Sequence, residues 1–188
     1  MKDNRNFILI APSNKAAYEL IQNLVPLLQS VDYTVYVISP NEDNADSLLE
    51  LGVKVIRVPQ CKNSSNLFTS VRYILSLRKV LRRLKPDVVL GYATNPAVYG
   101  SIAARMCGVR SISLLIDEMD HIPFFHKLGY RSAHNVIFDD YNNRYVSELF
   151  DLIKRDTAWV INGCGLNSDK RWTTDYCEQL CDAMNLKN

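Results

Sequence analysis

The chain has 188 residues, of which 47% are hydrophobic and 22% are charged, and its formal net charge at pH 7 is +2. This length and composition predict one sizeable globular domain with a real core. The charge is too small to support nucleic acid as a partner, and no apolar stretch reaches the ~20 residues needed to span a bilayer.

The cysteines and the N-terminal residues indicate the cellular compartment. The first apolar run, residues 7–11, is too short for the hydrophobic region of a secretory signal. The five cysteines are odd in number and irregular in spacing, so we predict reduced thiols and a cytoplasmic protein. Cys177 and Cys181 are one helical turn apart and are predicted to pack in the core.

Short apolar strands alternate with helical segments along the chain. The predicted strands are residues 7–11, 34–39, 53–58, 88–90, 111–116, 135–138 and 157–161, and the predicted helices are residues 15–30, 45–51, 67–84, 97–107, 142–153 and 174–184. This alternation predicts a single Rossmann-like, doubly wound α/β domain with a mostly parallel sheet of about seven strands and helices on both faces. Residues 1–162 are assigned to this domain, and residues 163–188 to a connecting segment and a terminal helix.

The loop after the first strand holds the first candidate site residues, Ser13 and Asn14. The helix that starts here offers backbone N–H groups to an anion, which makes both residues candidates for substrate binding. Capping of the helix by one of these side chains is the favoured alternative. The loop lacks the glycine pattern of dinucleotide sites, which argues against a flavodoxin-like nucleotide-binding protein.

The second candidate site follows the apolar run of residues 88–90. Gly91 comes directly after this run, and small and polar residues come next. Ligands of open α/β sheets bind outside the carboxyl ends of strands, so Thr94, Asn95 and Tyr99 are predicted to bind substrate. The alternative is that Thr94 and Asn95 cap the next helix while Tyr99 packs against the sheet. The sequence leaves both interpretations open, and Pro96 fits the first turn of that helix.

Segment 117–132 has no clear periodicity and is predicted to be a functional loop. It holds the densest cluster of titratable groups in the chain, which is Asp117, Glu118, Asp120, His121 and His126. Asp120 and His121 are the candidates for a general base, and Asp117 and Glu118 for substrate contacts. A solvated acidic loop is the favoured alternative, and no metal site is predicted because the spacing matches no standard ligand set.

The segment 71–84 is predicted to form a basic amphipathic helix. Such a helix attracts anionic lipid, which predicts peripheral contact with the inner face of a membrane. The favoured alternative is a helix whose apolar stripe faces the core and whose basic face is solvated.

Three segments together resemble the N-terminal, acceptor-side domain of glycosyltransferase family 4, which has the GT-B fold. They are KPDVV (85–89) with NPAVYG (95–100) and AAR (103–105), then NVIFDD (135–140), and finally the hinge-like VINGCGL (160–166). The chain departs from the family at Ile116-Asp117-Glu118-Met119-Asp120, where many members have a glycine-rich turn. The helix that usually precedes the sixth strand is also shortened.

The resemblance implies transfer of a sugar from a nucleotide-sugar to a glycan or lipid-linked acceptor in polysaccharide biosynthesis. The nucleotide-sugar would be a co-substrate, and no tightly bound cofactor is implied. In the family the C-terminal half binds the donor, and this chain ends soon after the hinge, which leaves truncation, natural deletion and a split enzyme open. We therefore expect a poor catalyst alone, completed by a separate donor-domain subunit or by self-association. The alternative is a non-catalytic module that binds glycan, nucleotide or a partner.

Overall fold

The computed structural model describes residues 5–40, 43, 45–59, 67–115, 124–138, 158–160 and 174–183. The strands are β1 (Arg5–Ile10), β2 (Tyr33–Ser39), β3 (Lys54–Arg57), β4 (Val88–Tyr92), β5 (Arg110–Leu115), β6 (Asn135–Phe138) and β7 (Ala158–Val160). They form one sheet with the order β3-β2-β1-β4-β5-β6-β7. Every neighbouring pair is parallel, so the predicted parallel sheet is confirmed.

Helices connect these strands and cover both faces of the sheet. They are α1 (Asn14–Ile21), α2 (Leu24–Ser30), α3 (Ala45–Glu50), α4 (Leu67–Leu84), α5 (Thr94–Arg105), α6 (Phe124–Ser132) and α7 (Thr174–Ala183). The helix predicted over 142–153 lies outside the described residues. Among the described helices, none is both long and apolar enough to cross a membrane. The division of the chain at residue 162 stays a prediction.

The core has two layers because successive residues of a strand point to opposite faces of the sheet. In β1, Phe7 and Leu9 belong to one buried cluster, which also contains residues of α1 and α2. Ile8 and Ile10 belong to a second cluster, formed with α4, α5 and α6. Since both faces are covered, the central strands are continuously apolar, as the sequence indicates.

The single helix predicted over 15–30 is instead two helices, with a break at Gln22 and Asn23. Pro26 accounts for the break. It has no N–H to donate to the carbonyl of Gln22, and its ring clashes with that carbonyl in a continuous helix. The proline therefore lies in the first turn of α2, where its missing N–H costs little.

The prediction of a loop over 117–132 is wrong for residues 124–132, which form α6. This helix packs closely on α5, because a Cβ added at Gly129 would lie 2.7 Å from the Cα of Val98. The ring of Tyr130 is fully buried, and His126 is buried in contact with it, edge-on, at 6.3 Å between ring centroids. His126 is therefore a packed helical residue. The nine residues of α6 agree with the shortened helix expected before β6.

Helix α7 adds two thiols to the core. Cys177 and Cys181 are buried in the same cluster as the α1–α2 face of the sheet, which confirms that they are packing residues. Burial, and then the neighbouring Cys181 thiol, raise the pKa of Cys177 from its usual 9.0 to about 12.

This raised pKa predicts a loss of stability in alkaline solution. Above pH 9 the unfolded state loses the Cys177 proton while the folded state keeps it, so the free energy of unfolding falls as pH rises toward 12. The slope from this thiol is at most roughly 1.4 kcal/mol per pH unit, and less where solvent screens the thiolate. Urea unfolding at pH 8.5, 9.5 and 10.5 should show a shallower decline for Cys177→Ala than for the unmodified chain. Cys107→Ala is the control, because Cys107 is half-buried in the turn that follows α5. An equal slope in all three proteins would contradict a buried Cys177.

Candidate substrate-binding site

A crevice is expected at the carboxyl edge of the sheet between β1 and β4. The chain leaves β1 toward one face, where Ala17 and Leu20 of α1 join the first core cluster. It leaves β4 toward the other face, where Ala97 and Tyr99 of α5 join the second cluster. The strand order therefore reverses between β1 and β4, and open α/β sheets bind ligands at such a switch point. The loops that carry Ser13–Asn14 and Thr94–Asn95 flank this point.

Ser13 and Asn14 hold the loop after β1 in place. Ser13 has an extended backbone, and its Oγ accepts a hydrogen bond from the N–H of Ala16 at 3.1 Å. This is the capping geometry that the sequence favours. Asn14 is fully buried, and its Oδ1 accepts a hydrogen bond from the Ser39 hydroxyl at the end of β2. Direct substrate binding by the two residues stays a prediction.

The junction between β4 and α5 is unusually tight. A Cβ added at Gly91 would lie 2.4 Å from the Cα of Ala97, so the first turn of α5 rests on the backbone of the strand. Thr94 and Asn95 are the first two residues of α5, and both are partly exposed at the carboxyl edge. Pro96 follows in the first turn, as predicted.

Ala93 makes this sharp change of direction with φ 67° and ψ 165°. Its N–H donates to the carbonyl of Leu114 at 3.1 Å, and its carbonyl accepts from the N–H of Ala97 at 2.9 Å. This backbone region is populated almost only by glycine and costs about 1–3 kcal/mol for other residues. The two hydrogen bonds hold Ala93 there, and Thr94 and Asn95 are positioned by it.

We expect Ala93→Gly to stabilise the fold by about 1 kcal/mol, because the relief of backbone strain exceeds the entropy that glycine loses on folding. Urea unfolding of the full chain measures the change. Ala16→Gly in α1 is the control, since glycine replaces alanine there at ordinary helical angles and should cost about 1 kcal/mol. Equal destabilisation by both substitutions would contradict the backbone conformation of Ala93.

The structure separates Tyr99 from Thr94 and Asn95. Its side chain is fully buried between α5 and α4. The hydroxyl lies 3.1 Å from the Ser70 Oγ, and the ring meets Tyr73 edge-on at 5.7 Å between centroids. These contacts are those of a packing residue, which agrees with the second of the two interpretations for Tyr99. The same interpretation is wrong on capping, because the N-cap residue of α5 is Ala93 and no side chain caps this helix.

The titratable candidates Asp117, Glu118, Asp120 and His121 lie outside the described residues. They follow β5, which ends at Leu115 beside β4 in the sheet. Within the part of the chain that the structure describes, no three His, Cys, Asp or Glu side chains gather as metal ligands. Among the described residues beside the switch point, Ser13, Asn14, Thr94 and Asn95 carry hydroxyl and amide groups, which donate and accept hydrogen bonds without changing protonation state.

Two further residues shape the candidate site but were not among those predicted from the sequence. Ser39 is buried and ties β2 to Asn14. Its signal is a polar residue at the end of an apolar strand, immediately before Pro40. Nothing in the sequence marks Ala93, because the φ and ψ that it adopts are normally found only at glycine.

A doubly wound parallel sheet with a topological switch point between β1 and β4 defines a Rossmann-like α/β domain. The family model described as glycosyl transferase 4-like matches residues 10–139. The chain therefore belongs to the glycosyl transferase 4-like family, as the sequence motifs indicate.

Curated relatives of the chain include transferases that act on lipid-linked acceptors. One is the N,N'-diacetylbacillosaminyl-diphospho-undecaprenol alpha-1,3-N-acetylgalactosaminyltransferase of Campylobacter jejuni, 23% identical over 86% of this chain and 46% of its own length. Another is the UDP-N-acetylglucosamine--N-acetylmuramyl-(pentapeptide) pyrophosphoryl-undecaprenol N-acetylglucosamine transferase of Shewanella amazonensis. It is 39% identical over 37% of this chain and 19% of its own length. The chain thus spans less than half of either relative.

Solved structures share the fold. A glycosyltransferase from Rickettsia africae matches 99% of this chain and 51% of its own, with a TM-score of 0.65 and 18% identity. MurG of Acinetobacter baumannii matches 74% of this chain and 42% of its own, with a TM-score of 0.58 and 16% identity. The UDP-GlcNAc 2-epimerase of Methanocaldococcus jannaschii matches 83% of this chain and 45% of its own, with a TM-score of 0.61 and 14% identity. At these identities the similarity establishes the fold alone.

Proposed function

We propose that this chain forms the acceptor-binding half of a glycosyltransferase of polysaccharide biosynthesis, acting at the cytoplasmic face of a membrane on a lipid-linked or glycan acceptor. The observation that carries the proposal is the family match over residues 10–139, which include both loops beside the switch point. The names of two relatives, with acceptors linked to undecaprenol through a diphosphate, support a lipid-linked acceptor.

Thr94 and Asn95 are the proposed acceptor ligands. Both are partly exposed at the carboxyl edge, and their hydroxyl and amide groups match the hydroxyls of a sugar as hydrogen-bond donors and acceptors. Asp120 or His121 is proposed to accept the proton of the attacking hydroxyl. Asp117 and Glu118 are proposed to contact the substrate.

The donor nucleotide-sugar is proposed to bind a second half, which another domain, a separate subunit or a second copy of the chain supplies. Transfer requires that donor and acceptor be held in contact, because orientation supplies much of the rate. The chain spans less than half of its first curated relatives, so we propose that it has little activity by itself. The nucleotide-sugar is a co-substrate in this scheme and no other cofactor takes part.

A second candidate is a binding module without transfer activity. The Ser13 hydroxyl caps α1 and the Tyr99 hydroxyl bonds to Ser70. This favours structural roles for two of the residues predicted to bind substrate. In that case the crevice would retain an acceptor but would not align it for reaction.

Transfer of labelled sugar tests the proposal. The tagged chain is purified from its native cells as a complex with the proteins that bind it. The complex is incubated with radiolabelled UDP-N-acetylhexosamines and an undecaprenyl-diphosphate-linked sugar. We expect the purified complex to transfer label and the isolated chain to transfer little. In the complex, the Thr94→Val/Asn95→Ala double variant should raise the KM for the acceptor by roughly tenfold, the effect of two lost hydrogen bonds.

The control is Glu50→Ala, an exposed position on α3 away from this junction. Its KM should equal that of the unmodified complex, with circular dichroism confirming that all variants fold. A complex that transfers no label while the chain still binds the acceptor would favour the binding module. An unchanged KM in the double variant would overturn the proposed roles of Thr94 and Asn95.

A further inference from the structure

Three basic side chains lie together at the amino edge of the sheet, the edge opposite the crevice. Arg105 is in the last turn of α5, Arg110 is the first residue of β5, and His134 directly precedes β6. Helix α5 runs back from the carboxyl end of β4 to the start of β5, so its last turn reaches this edge. We call Arg105, Arg110 and His134 the amino-edge cluster.

The backbone of Ser111 fixes the orientation of the His134 ring. The N–H of His134 donates to the carbonyl of Ser111 at 2.8 Å, and the Nδ1 of His134 accepts from the N–H of Ser111 at 3.2 Å. An imidazole nitrogen that accepts a hydrogen bond carries no proton, so the neutral ring has its proton on Nε2. Because His134 is exposed, this Nε2–H is available to a ligand.

Each guanidinium of the cluster is anchored by one hydrogen bond. Arg105 donates to the carbonyl of Arg131 in the last turn of α6 at 3.0 Å. Arg110 donates to the Oδ1 of Asn135 at 3.3 Å. A guanidinium has five N–H groups in a fixed fork, so each arginine keeps donors for another acceptor. Since both side chains are already held, a ligand that binds them has less rotamer entropy to remove.

The charge of the amino-edge cluster is uncompensated within the described part of the chain, where no Asp or Glu forms an ion pair with Arg105 or Arg110. Both guanidiniums act on the His134 ring. Partial loss of hydration, then Arg110 and then Arg105, lower the pKa of His134 from its usual 6.5. The partial negative charge of helix C-termini accounts for the place of Arg105, but Arg110 begins a strand and has no such partner. The cluster is therefore complementary to an anion.

We propose that the amino-edge cluster binds the phosphate group of a small soluble ligand, either inorganic phosphate or a phosphate monoester. The two guanidiniums donate to phosphate oxygens, and the Nε2–H of His134 donates to a further one. A phosphate has at least three oxygens that accept such bonds, whereas one guanidinium fork already engages both oxygens of a carboxylate. The site is at the opposite edge of the sheet from the crevice, so the inference does not rest on the proposed function.

Nuclear magnetic resonance of the ¹⁵N-labelled full chain tests the site. The probes are inorganic phosphate and glycerol 3-phosphate, at about pH 7.5, with sodium chloride holding the ionic strength at about 0.15 M. We expect saturable shifts of the Ser111 and His134 amide signals. The pKa of His134 should also rise, because a bound dianion opposes the effect of the two guanidiniums. Binding of both probes would support a site for esters, and binding of inorganic phosphate alone would support a site for the free ion.

Arg105→Gln/Arg110→Gln should raise the Kd for inorganic phosphate by roughly tenfold for each arginine, because each loses a charge-assisted hydrogen bond. Arg110→Lys keeps the charge but not the fork, and should raise the Kd by a smaller factor. It provides the test if circular dichroism shows that the double variant does not fold. The matched control, Arg82→Gln/Arg83→Gln, removes two exposed charges from the end of α4 and should leave the Kd unchanged.

Three results would overturn the inference. The first is the absence of saturable shifts with either probe. The second is an equal rise in Kd for Arg105→Gln/Arg110→Gln and for the α4 control, which would mean that phosphate only responds to net charge. The third is an unchanged pKa of His134 at saturating phosphate, which would place the anion away from the ring. Sugar transfer enters none of these measurements, so they are independent of the test of the proposed function.

Discussion

Gly91→Ala is expected to destabilise the protein by about 3 kcal/mol or more and to abolish acceptor binding. The added Cβ would lie 2.4 Å from the Cα of Ala97 and 2.9 Å from the carbonyl oxygen of Pro96. Both are backbone atoms, so no side chain can rotate to make room, and the cost reaches the upper end of the range for overpacking. The first turn of α5 must move away from β4, which displaces Thr94 and Asn95 from the switch point.

Two other glycines provide the controls. A Cβ at Gly100 would meet the Cδ1 of Ile10 at 2.8 Å, and this methyl is the end of a flexible side chain. Gly108 has no atom within 4 Å of an added Cβ, but it has φ 69°, so alanine there costs about 1–2 kcal/mol of strain alone. Urea unfolding should give the largest loss for Gly91→Ala. A loss no greater than that of Gly108→Ala would contradict the close approach of α5 to β4.

The sheet could be predicted from the sequence because its central strands are buried on both sides. Runs such as residues 7–11 and 88–90 are apolar without interruption, which is typical of parallel strands between two helical layers. The helical spacing between them then indicates the right-handed crossovers. Strand ends differ from prediction by a residue or two, since frayed ends are not encoded by the apolar pattern.

The two errors in the helices have separate physical reasons. The apolar spacing of residues 15–30 continues through Pro26 and therefore predicts one helix. Pro26 interrupts that helix because it has no backbone N–H to donate. Helix α6 buries His126, Gly129 and Tyr130, which follow helical spacing. None of the three is aliphatic, so a search for an aliphatic stripe does not detect the helix.

The positions of the candidate residues in the fold could be predicted in part. The rule that ligands bind at strand ends locates Ser13, Asn14, Thr94 and Asn95 beside the switch point. It does not separate residues that face the crevice from those that build its walls. The bond between Asn14 and Ser39 and the backbone of Ala93 depend on strands β2 and β5. Their role therefore becomes visible only when the strands are assembled.

Tyr99 offers the sharpest test of the difference between a wall residue and a ligand. Tyr99→Ala should cost about 3–5 kcal/mol, because it removes a fully buried ring and leaves a cavity between α4 and α5. Tyr99→Phe should cost about 1–2 kcal/mol, because the ring stays in contact with Tyr73 while the buried hydrogen bond between the Tyr99 and Ser70 hydroxyls is lost. Urea unfolding measures both losses.

A thermodynamic cycle with Ser70→Ala assigns the hydroxyl its role. If Tyr99 is a packing residue, Ser70→Ala and Tyr99→Phe should be coupled by about 1 kcal/mol, since each alone breaks the same hydrogen bond. The KM for the acceptor should then be unchanged in Tyr99→Phe. A raised KM in Tyr99→Phe, together with no coupling to Ser70→Ala, would mean that the hydroxyl turns from α4 to the acceptor, and Tyr99 would be a substrate ligand. A packing role therefore predicts coupling to Ser70→Ala with an unchanged KM, whereas a substrate-binding role predicts a raised KM without coupling.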